Sequence, residues 1–180
     1  DAPLYAHGEV EIERNGDLKS ARLQLRSGAG EINLPEPWET AIPLEVAQGL
    51  VSVDGASRLI SVEELSFKAG PHDSKLSGTI AYEMGEGLNI AAVTADLVAD
   101  RVHTEVPGFF EGPVDLDVMR LNARLDFDAM KAEIAELFVG TAGGGIRLSG
   151  SVEDAVRSPA VKVSGTIEPL PLDAFVAIWP

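Results

Sequence analysis

Alternation constrains this chain more than any other feature of its sequence. Apolar and polar side chains exchange places residue by residue over stretch after stretch, which is the period of a half-buried β-strand. In Leu18–Arg26, Ala21, Leu23 and Leu25 are interleaved with Arg22, Gln24 and Arg26. Leu44–Val46 and Leu50–Val53 follow, split by Gln48-Gly49, which reads as a turn. Ile60–Phe67, Leu76–Tyr82, Leu88–Val98, Ile134–Val139, Ile146–Val152 and Val161–Ile167 continue the pattern. Near the middle the phase changes. Val114, Leu116 and Val118 alternate with Asp115 and Asp117, whereas Leu121, Ala123, Leu125 and Phe127 alternate with Asn122, Arg124, Asp126 and Asp128. One slipped residue in such a run predicts a β-bulge or a tight turn near Arg120.

The connections between these runs are short. Asn15-Gly16, Asp54-Gly55, Gly70-Pro71, Gly85-Glu86-Gly87, Gly143-Gly144-Gly145 and Ser158-Pro159 punctuate them. Parallel crossovers need a dozen or more residues, so the spacing implies hairpins. The expected fold is all-β and mainly antiparallel: a curved meander or β-groove of repeated strand units. The alternative is a closed β-sandwich. Val106–Phe110 reads as an apolar loop. Leu172, Phe175 and Val176 stand at helical spacing and predict a short C-terminal helix over 172–179.

The strands also resemble one another. At an offset of 72 residues, Val51–Ile80 lies over Ala123–Val152 without a gap, and six of the 30 pairs are identical. Average residue usage would give about 2. Lys75/Arg147, Thr79/Ser151 and Ile80/Val152 are conservative pairs beside them, and Val163-Ser164-Gly165-Thr166-Ile167 repeats the closing phrase. Three copies of an apolar-Ser-Gly-Thr/Ser-apolar ending point to architecture, since glycine inside a strand permits curvature or a bulge. The 180 residues are expected to form one β-rich segment of a larger array of such units.

Composition removes several functions. With 29 Asp+Glu against 14 Lys+Arg the net charge is −15, which disfavours nucleic acid and broad adhesion to anionic headgroups. Without cysteine there is neither a disulfide scaffold nor a thiolate metal site. No metal site is expected from His7, His72 and His103, which are far apart in sequence. Asp115/Asp117 and Asp126/Asp128 suit the solvent face of a strand better than a calcium site. Gly140–Gly145 lacks the Lys-Ser/Thr of a phosphate-binding loop and reads as a hairpin connection, and no nucleophile elbow is present. A carbohydrate-active protein would need stacking platforms, and Trp38, Trp179, Tyr5 and Tyr82 are few. The expectation is a non-enzymatic protein with no catalytic residue and no cofactor. No run approaches the roughly 18 apolar residues of a spanning helix, and Asp1-Ala2-Pro3-Leu4 is not a signal peptide, so the chain reads as a mature product or an internal fragment.

What remains is an aliphatic strand face without a convincing set of helices to cover it. Sheets bury such a face by folding over, by closing, or by holding an apolar ligand. The Ser-Gly-Thr strand endings, the alternating Leu-x-Ile/Leu strands and the closing Pro169-Leu170-Pro171-Leu172-Asp173-Ala174-Phe175-Val176-Ala177-Ile178-Trp179-Pro180 resemble the AsmA-like superfamily, nearest to its YhdP-like branch and related to TamB. The resemblance runs from about Gly8 onward. It implies a periplasmic segment of an inner-membrane-anchored Gram-negative protein, with the N-terminal anchor helix and flanking segments outside this chain. It also implies an apolar β-groove that moves phospholipid between the inner and outer membranes. Acyl chains would then lie against Leu65, Phe67, Leu76, Ile80, Ile90, Leu125, Leu137, Val139, Leu148, Val152, Val161 and Val163. The rival function is a β-sandwich or solenoid interaction module of an envelope protein without lipid cargo.

Overall fold

A strand with one apolar face cannot stand alone, and hairpin after hairpin this chain solves that by lateral addition. The computed structural model describes residues 3–33, 41–87, 89–104, 113–141, 144–153 and 160–169. They form β1 (Leu4–Ile12), β2 (Leu18–Ser27), β3 (Gly30–Asn33), β4 (Ala41–Asp54), β5 (Leu59–Ala69), β6 (His72–Met84), β7 (Ile90–Thr104), β8 (Val114–Asp126), β9 (Lys131–Thr141), β10 (Gly144–Glu153) and β11 (Ala160–Ile167). All belong to one sheet in the order β1-β2-β4-β5-β6-β7-β8-β9-β10-β11, with β3 also on β4. Every ladder is antiparallel. Ser27 opposes Ala47 and Gly30 opposes Leu44, so β2 and β3 are one line of chain along β4, interrupted at 28–29 without a slip.

The sheet is open and single-layered. Substantial packing among the described residues occurs only between ladder neighbours, and neither β1 nor β11 has an outer partner there. The chain exposes 11992 Å², where a compact protein of 19.0 kDa would expose about 8,400 Å². The closed sandwich is therefore not the architecture; an open, curved meander is. The expected C-terminal helix and the 106–110 loop lie outside the described residues. Within them, no helix is long and apolar enough to cross a membrane.

Several local expectations change. Gln48-Gly49 is not a turn but lies inside the 14-residue β4. Glycine sits there because a Cβ at position 49 would be 2.7 Å from the Glu64 carbonyl oxygen of β5. The Gly140–Gly145 run is mostly strand: Gly140 ends up in β9 and Gly144 and Gly145 in β10. The phase change in β8 involves no turn. It lies at the level where Arg101 of β7 adopts φ 53 and the Arg101/Asp117 pair drops out of the ladder. Beyond that point Val114 and Leu116 pack with Val102, Val139 and Ile146 on the apolar side, whereas Val118, opposite Gly140, stays on the other.

Two bulges shape the sheet further. In β5 one extra residue, Glu63, separates the Val51–Val62 pair from the Leu50–Glu64 pair. In β9 the extra residue is Ala135, between Ala123–Ile134 and Asn122–Glu136. The next ladders answer in kind: Val62 pairs Gly78 and Leu65 pairs Leu76, while Ile134 pairs Gly150 and Leu137 pairs Leu148. Each of these correspondences is an offset of 72. Bulges bend a strand and increase its twist, and a glycine opposite each lets the adjacent backbone close in. A Cβ at Gly78 would sit 2.1 Å from the Asp96 carbonyl oxygen, and one at Gly150 2.3 Å from that of Lys162.

Candidate functional site

Paired residues of a ladder project to the same face, so register alone assigns every side chain a side. Beginning at β1, one side carries Leu4, Ala6, Gly8 and Val10, opposite Ser27, Leu25, Leu23 and Ala21. From there it passes through Val51 and Val53, Ile60 and Val62, then Leu65 and Phe67. Across β6 to β8 the same side holds Leu76 and Ile80, Ala95, Leu97 and Ala99, and Met119, Leu121, Ala123 and Leu125. It ends with Ile134, Leu137 and Val139, Ile146, Leu148 and Val152, and Val161, Val163 and Ile167. Nine inter-strand steps of about 4.8 Å make this face about 43 Å wide.

All twelve residues singled out from the sequence stand on that face. Leu65, Phe67, Leu76 and Ile80 occupy the β5–β6 ladder, and Leu137, Val139, Leu148 and Val152 the β9–β10 ladder. Ile90 lies at the start of β7 opposite Met84, Leu125 opposite Val93, and Val161 and Val163 on the outer strand. Exposure is uneven: Ile90, Leu125, Val161 and Val163 are 47, 46, 60 and 67% exposed, whereas Val62 is buried. The sequence reading left out β1 entirely, although Glu9-Val10-Glu11-Ile12 alternates as plainly as any other run. It also left out Leu97, Leu121 and Ile134, which carry the face through the centre of the sheet.

The other side is polar and cross-braced. Arg22 meets Glu63 at 3.2 Å, Lys68 meets Glu45 at 2.9 Å and Lys19 meets Glu11 at 2.9 Å. Arg124 binds both carboxylate oxygens of Glu83, at 2.7 and 3.0 Å, a two-pronged geometry that fixes orientation. Lys75 pairs with Glu64, and 72 residues later Arg147 pairs with Glu136. The Lys19 ammonium, hydrogen-bonded to Glu11, holds that carboxyl below its ordinary range; Arg124 does the same to Glu83. Asp54 is lowered mainly by the Ser57 backbone N–H that it accepts in the β4–β5 turn. Each of these groups is solvent-exposed.

One aromatic departs from the pattern. Phe138 lies on the polar side, yet is only 7% exposed. Its ring rests over the backbone of Gly140 and Gly145, where a Cβ would approach to 2.7 and 2.6 Å. The Arg120 and Arg147 guanidinium carbons stand 5.4 and 4.9 Å from its centroid, forming a cation–aromatic stack. Open clefts of about 650 and 430 Å³ flank the bulges on this side, lined among others by Glu63, Glu64 and Gln48, and by Ala135, Lys131 and Lys162. His103 Nδ1 lies 2.6 Å from Asp115, and His72 Nδ1 lies 2.7 Å from the Thr104 hydroxyl. Asp126 accepts from the Ala129 backbone N–H. Among the described residues no three His, Asp or Glu side chains converge as a metal site would require.

Comparison with known proteins finds no family, no curated protein and no solved structure that matches this chain. Its function must therefore be argued from the face itself.

Proposed function

We propose that this chain is a segment of a longer, AsmA-like envelope protein whose sheet offers phospholipid acyl chains a continuous apolar track between the inner and outer membranes. The observation that carries the reading is the aliphatic face running across ten strands with no described element packed on it. A soluble protein that exposes so large a contiguous apolar patch has a use for it. Acyl chains match it chemically, because the face supplies methyl and methylene groups and almost no hydrogen-bonding side chains.

The energetics are adequate without any specific polar contact. Full burial contributes about 0.8 kcal/mol per methylene, and an open face covers about half of each group. Relative to water, an acyl chain of about fourteen methylenes would then gain about 6 kcal/mol, so the face shelters a chain in passage and returns it readily to a bilayer that buries it fully. A hydrocarbon core about 30 Å thick allots each leaflet about 15 Å, well within the width of the face. Headgroups would stay at the wet margin. The periplasmic setting, the inner-membrane anchor and flanking segments of the same chain belong to this proposal and rest on the resemblance in sequence.

The test is lipid content. Protein purified without detergent is expected to carry phospholipid detectable by mass spectrometry and to extract labelled phospholipid from neutral vesicles. Leu76→Glu and Leu148→Asp, each a charge in the middle of the face, should lower both while retaining the far-UV dichroism of a sheet. Lipid-free protein that takes nothing from vesicles would overturn the proposal in favour of an interaction module without cargo.

A further inference from the structure

The apolar side of the sheet is not apolar from end to end. Where Gly70 and Pro71 turn β5 into β6, the residues that keep its parity become polar: His72 pairs with Ala69, Ser74 with Phe67 and Thr104 with Val114. Ser27 on β2 and Thr141 on β9 stand at the same end of the same side. At the opposite end that side carries Val53, Ile60, Met84, Ile90, Leu125 and Val152. Burial runs the same way. Leu44, Ala69, Val114 and Leu116 are buried at the polar end, whereas Ile90, Leu125 and the turn residues Phe127 and Met130 are exposed at the other. Open apolar surface therefore increases along the strands, away from the hydroxyls.

The polar end also holds hydrogen-bonding capacity that the chain does not use. Ser74 is only 4% exposed, yet its Oγ has no hydrogen-bond partner among the described residues, and neither has Thr141 Oγ1. A buried hydroxyl left unpaired costs about 1–3 kcal/mol, so it is primed for an acceptor that a ligand brings. Rotation about the Ser74 Cα–Cβ bond redirects that hydroxyl without moving the backbone. Two residues before it on the same face of β6, His72 is half-buried, with Nδ1 2.7 Å from the Thr104 hydroxyl of β7. That contact leaves Nε2 without a partner among the described residues.

Hydroxyls and an imidazole form a neutral, donor-capable set. A phospholipid is its complement, because its ester carbonyl and phosphate oxygens accept hydrogen bonds, and its acyl chains need the apolar surface that begins at Leu76. The length agrees. Ser74 and Ile80 are six residues apart, about 20 Å of strand, which exceeds the roughly 15 Å that acyl chains occupy in one leaflet.

We infer that His72, Ser74 and Thr104 seat the ester and phosphate oxygens of a phospholipid whose acyl chains run along β6 and β7 toward Ile90 and Leu125, so that headgroups keep to one end of the strands. This rests on the acyl-track function proposed above and adds to it a polar seat and a direction.

Because the chain has no cysteine, one fluorophore can be attached at either end, through Pro71→Cys in the turn before His72 or Met130→Cys in the far turn. Each labelled protein is loaded from vesicles of phosphatidylcholine bearing a nitroxide on the headgroup or at the end of an acyl chain, then separated from the vesicles. The headgroup nitroxide is expected to quench the label at 71 more strongly, and the chain-end nitroxide the label at 130. Ser74→Ala should lower the affinity for a dispersed short-chain phosphatidylcholine about two- to tenfold, the worth of one hydrogen bond. Its melting temperature should match or exceed that of the wild type, since the hydroxyl it lacks has no partner within the described fold. Lipid taken up with equal or reversed quenching overturns this inference and leaves the acyl track standing. So does a Ser74→Ala protein that binds as tightly as wild type. Protein that takes up no lipid at all overturns both.

Discussion

Gly78→Ala is the sharpest perturbation of the bulged sheet. Gly78 has φ 135, and an alanine Cβ there would lie 2.1 Å from the Asp96 carbonyl oxygen and 2.9 Å from the Leu97 Cα. Holding a side-chain-bearing residue in that backbone region costs about 1–3 kcal/mol. The obstructing atoms are backbone, so the β6–β7 ladder must open by about an ångström and weaken ladder hydrogen bonds that contribute about 1 kcal/mol each. The two effects together predict a loss of about 2–4 kcal/mol. For a chain of this length each kcal/mol moves the melting temperature by about 2–4 °C, so the midpoint should fall by about 5–15 °C. Two controls separate the causes. Gly16 has φ 94 with nothing within 4 Å of an added Cβ, so Gly16→Ala reports the dihedral cost alone. Gly150→Ala meets the Lys162 carbonyl oxygen at 2.3 Å, but β11 lies at the margin and can retreat. Thermal unfolding followed by far-UV dichroism should rank Gly78→Ala as clearly the most damaging. A Gly78→Ala protein melting within about 2 °C of wild type, or above Gly16→Ala, would refute the reasoning.

Other expectations are simpler. Phe138→Ala removes the ring that covers Gly140 and Gly145 and should cost about 3 kcal/mol by urea titration, a loss that Phe138→Leu recovers in part. Glu11, Asp54 and Glu83 bind protons more weakly folded than unfolded, so their contribution is complete above the ordinary carboxylate pKa of about 4 and fades as pH falls through the lower folded values. Stability measured against pH should therefore be flat near neutrality and decline on the acid side. These groups are exposed, so the decline should shrink in high salt. Gly49→Val brings a branched side chain against the Glu64 backbone and should abolish the cooperative transition or lower its midpoint sharply, while Gly87→Ala, in open space, should be far milder.

Much of this fold is legible residue by residue because a period of two carries its own meaning: Leu23, Leu65, Leu76, Leu137 and Leu148 declare their face from their immediate neighbours. That is why the twelve apolar positions chosen from the sequence stand on one side. What a single strand cannot disclose is its partner. Glu63 and Ala135 are ordinary residues until two ladders are compared, and only then does each prove to be supernumerary. Gly49 looked like a turn because the β5 backbone that forbids a side chain there comes from 15 residues away. Phe138 follows the polar parity of its strand, and what shelters it is a pair of glycines on two strands together with two arginines. The phase change near Arg120 is visible in β8 alone, whereas the φ of 53 at Arg101, on the neighbouring strand, is not.

Each strand here rests on the strand before it and the strand after it, and on little else. A barrel must satisfy a closure condition in which strand number, tilt and stagger agree; this sheet has none to satisfy. Its stability is close to a sum along one dimension, so below the cooperative transition the marginal strands are expected to fray first. Its contacts join segments near in sequence, which favours rapid, zipper-like folding for an all-β chain. Evolution can therefore lengthen or shorten such a sheet by whole hairpins, leaving the remaining ones untouched and changing only how far the surface reaches.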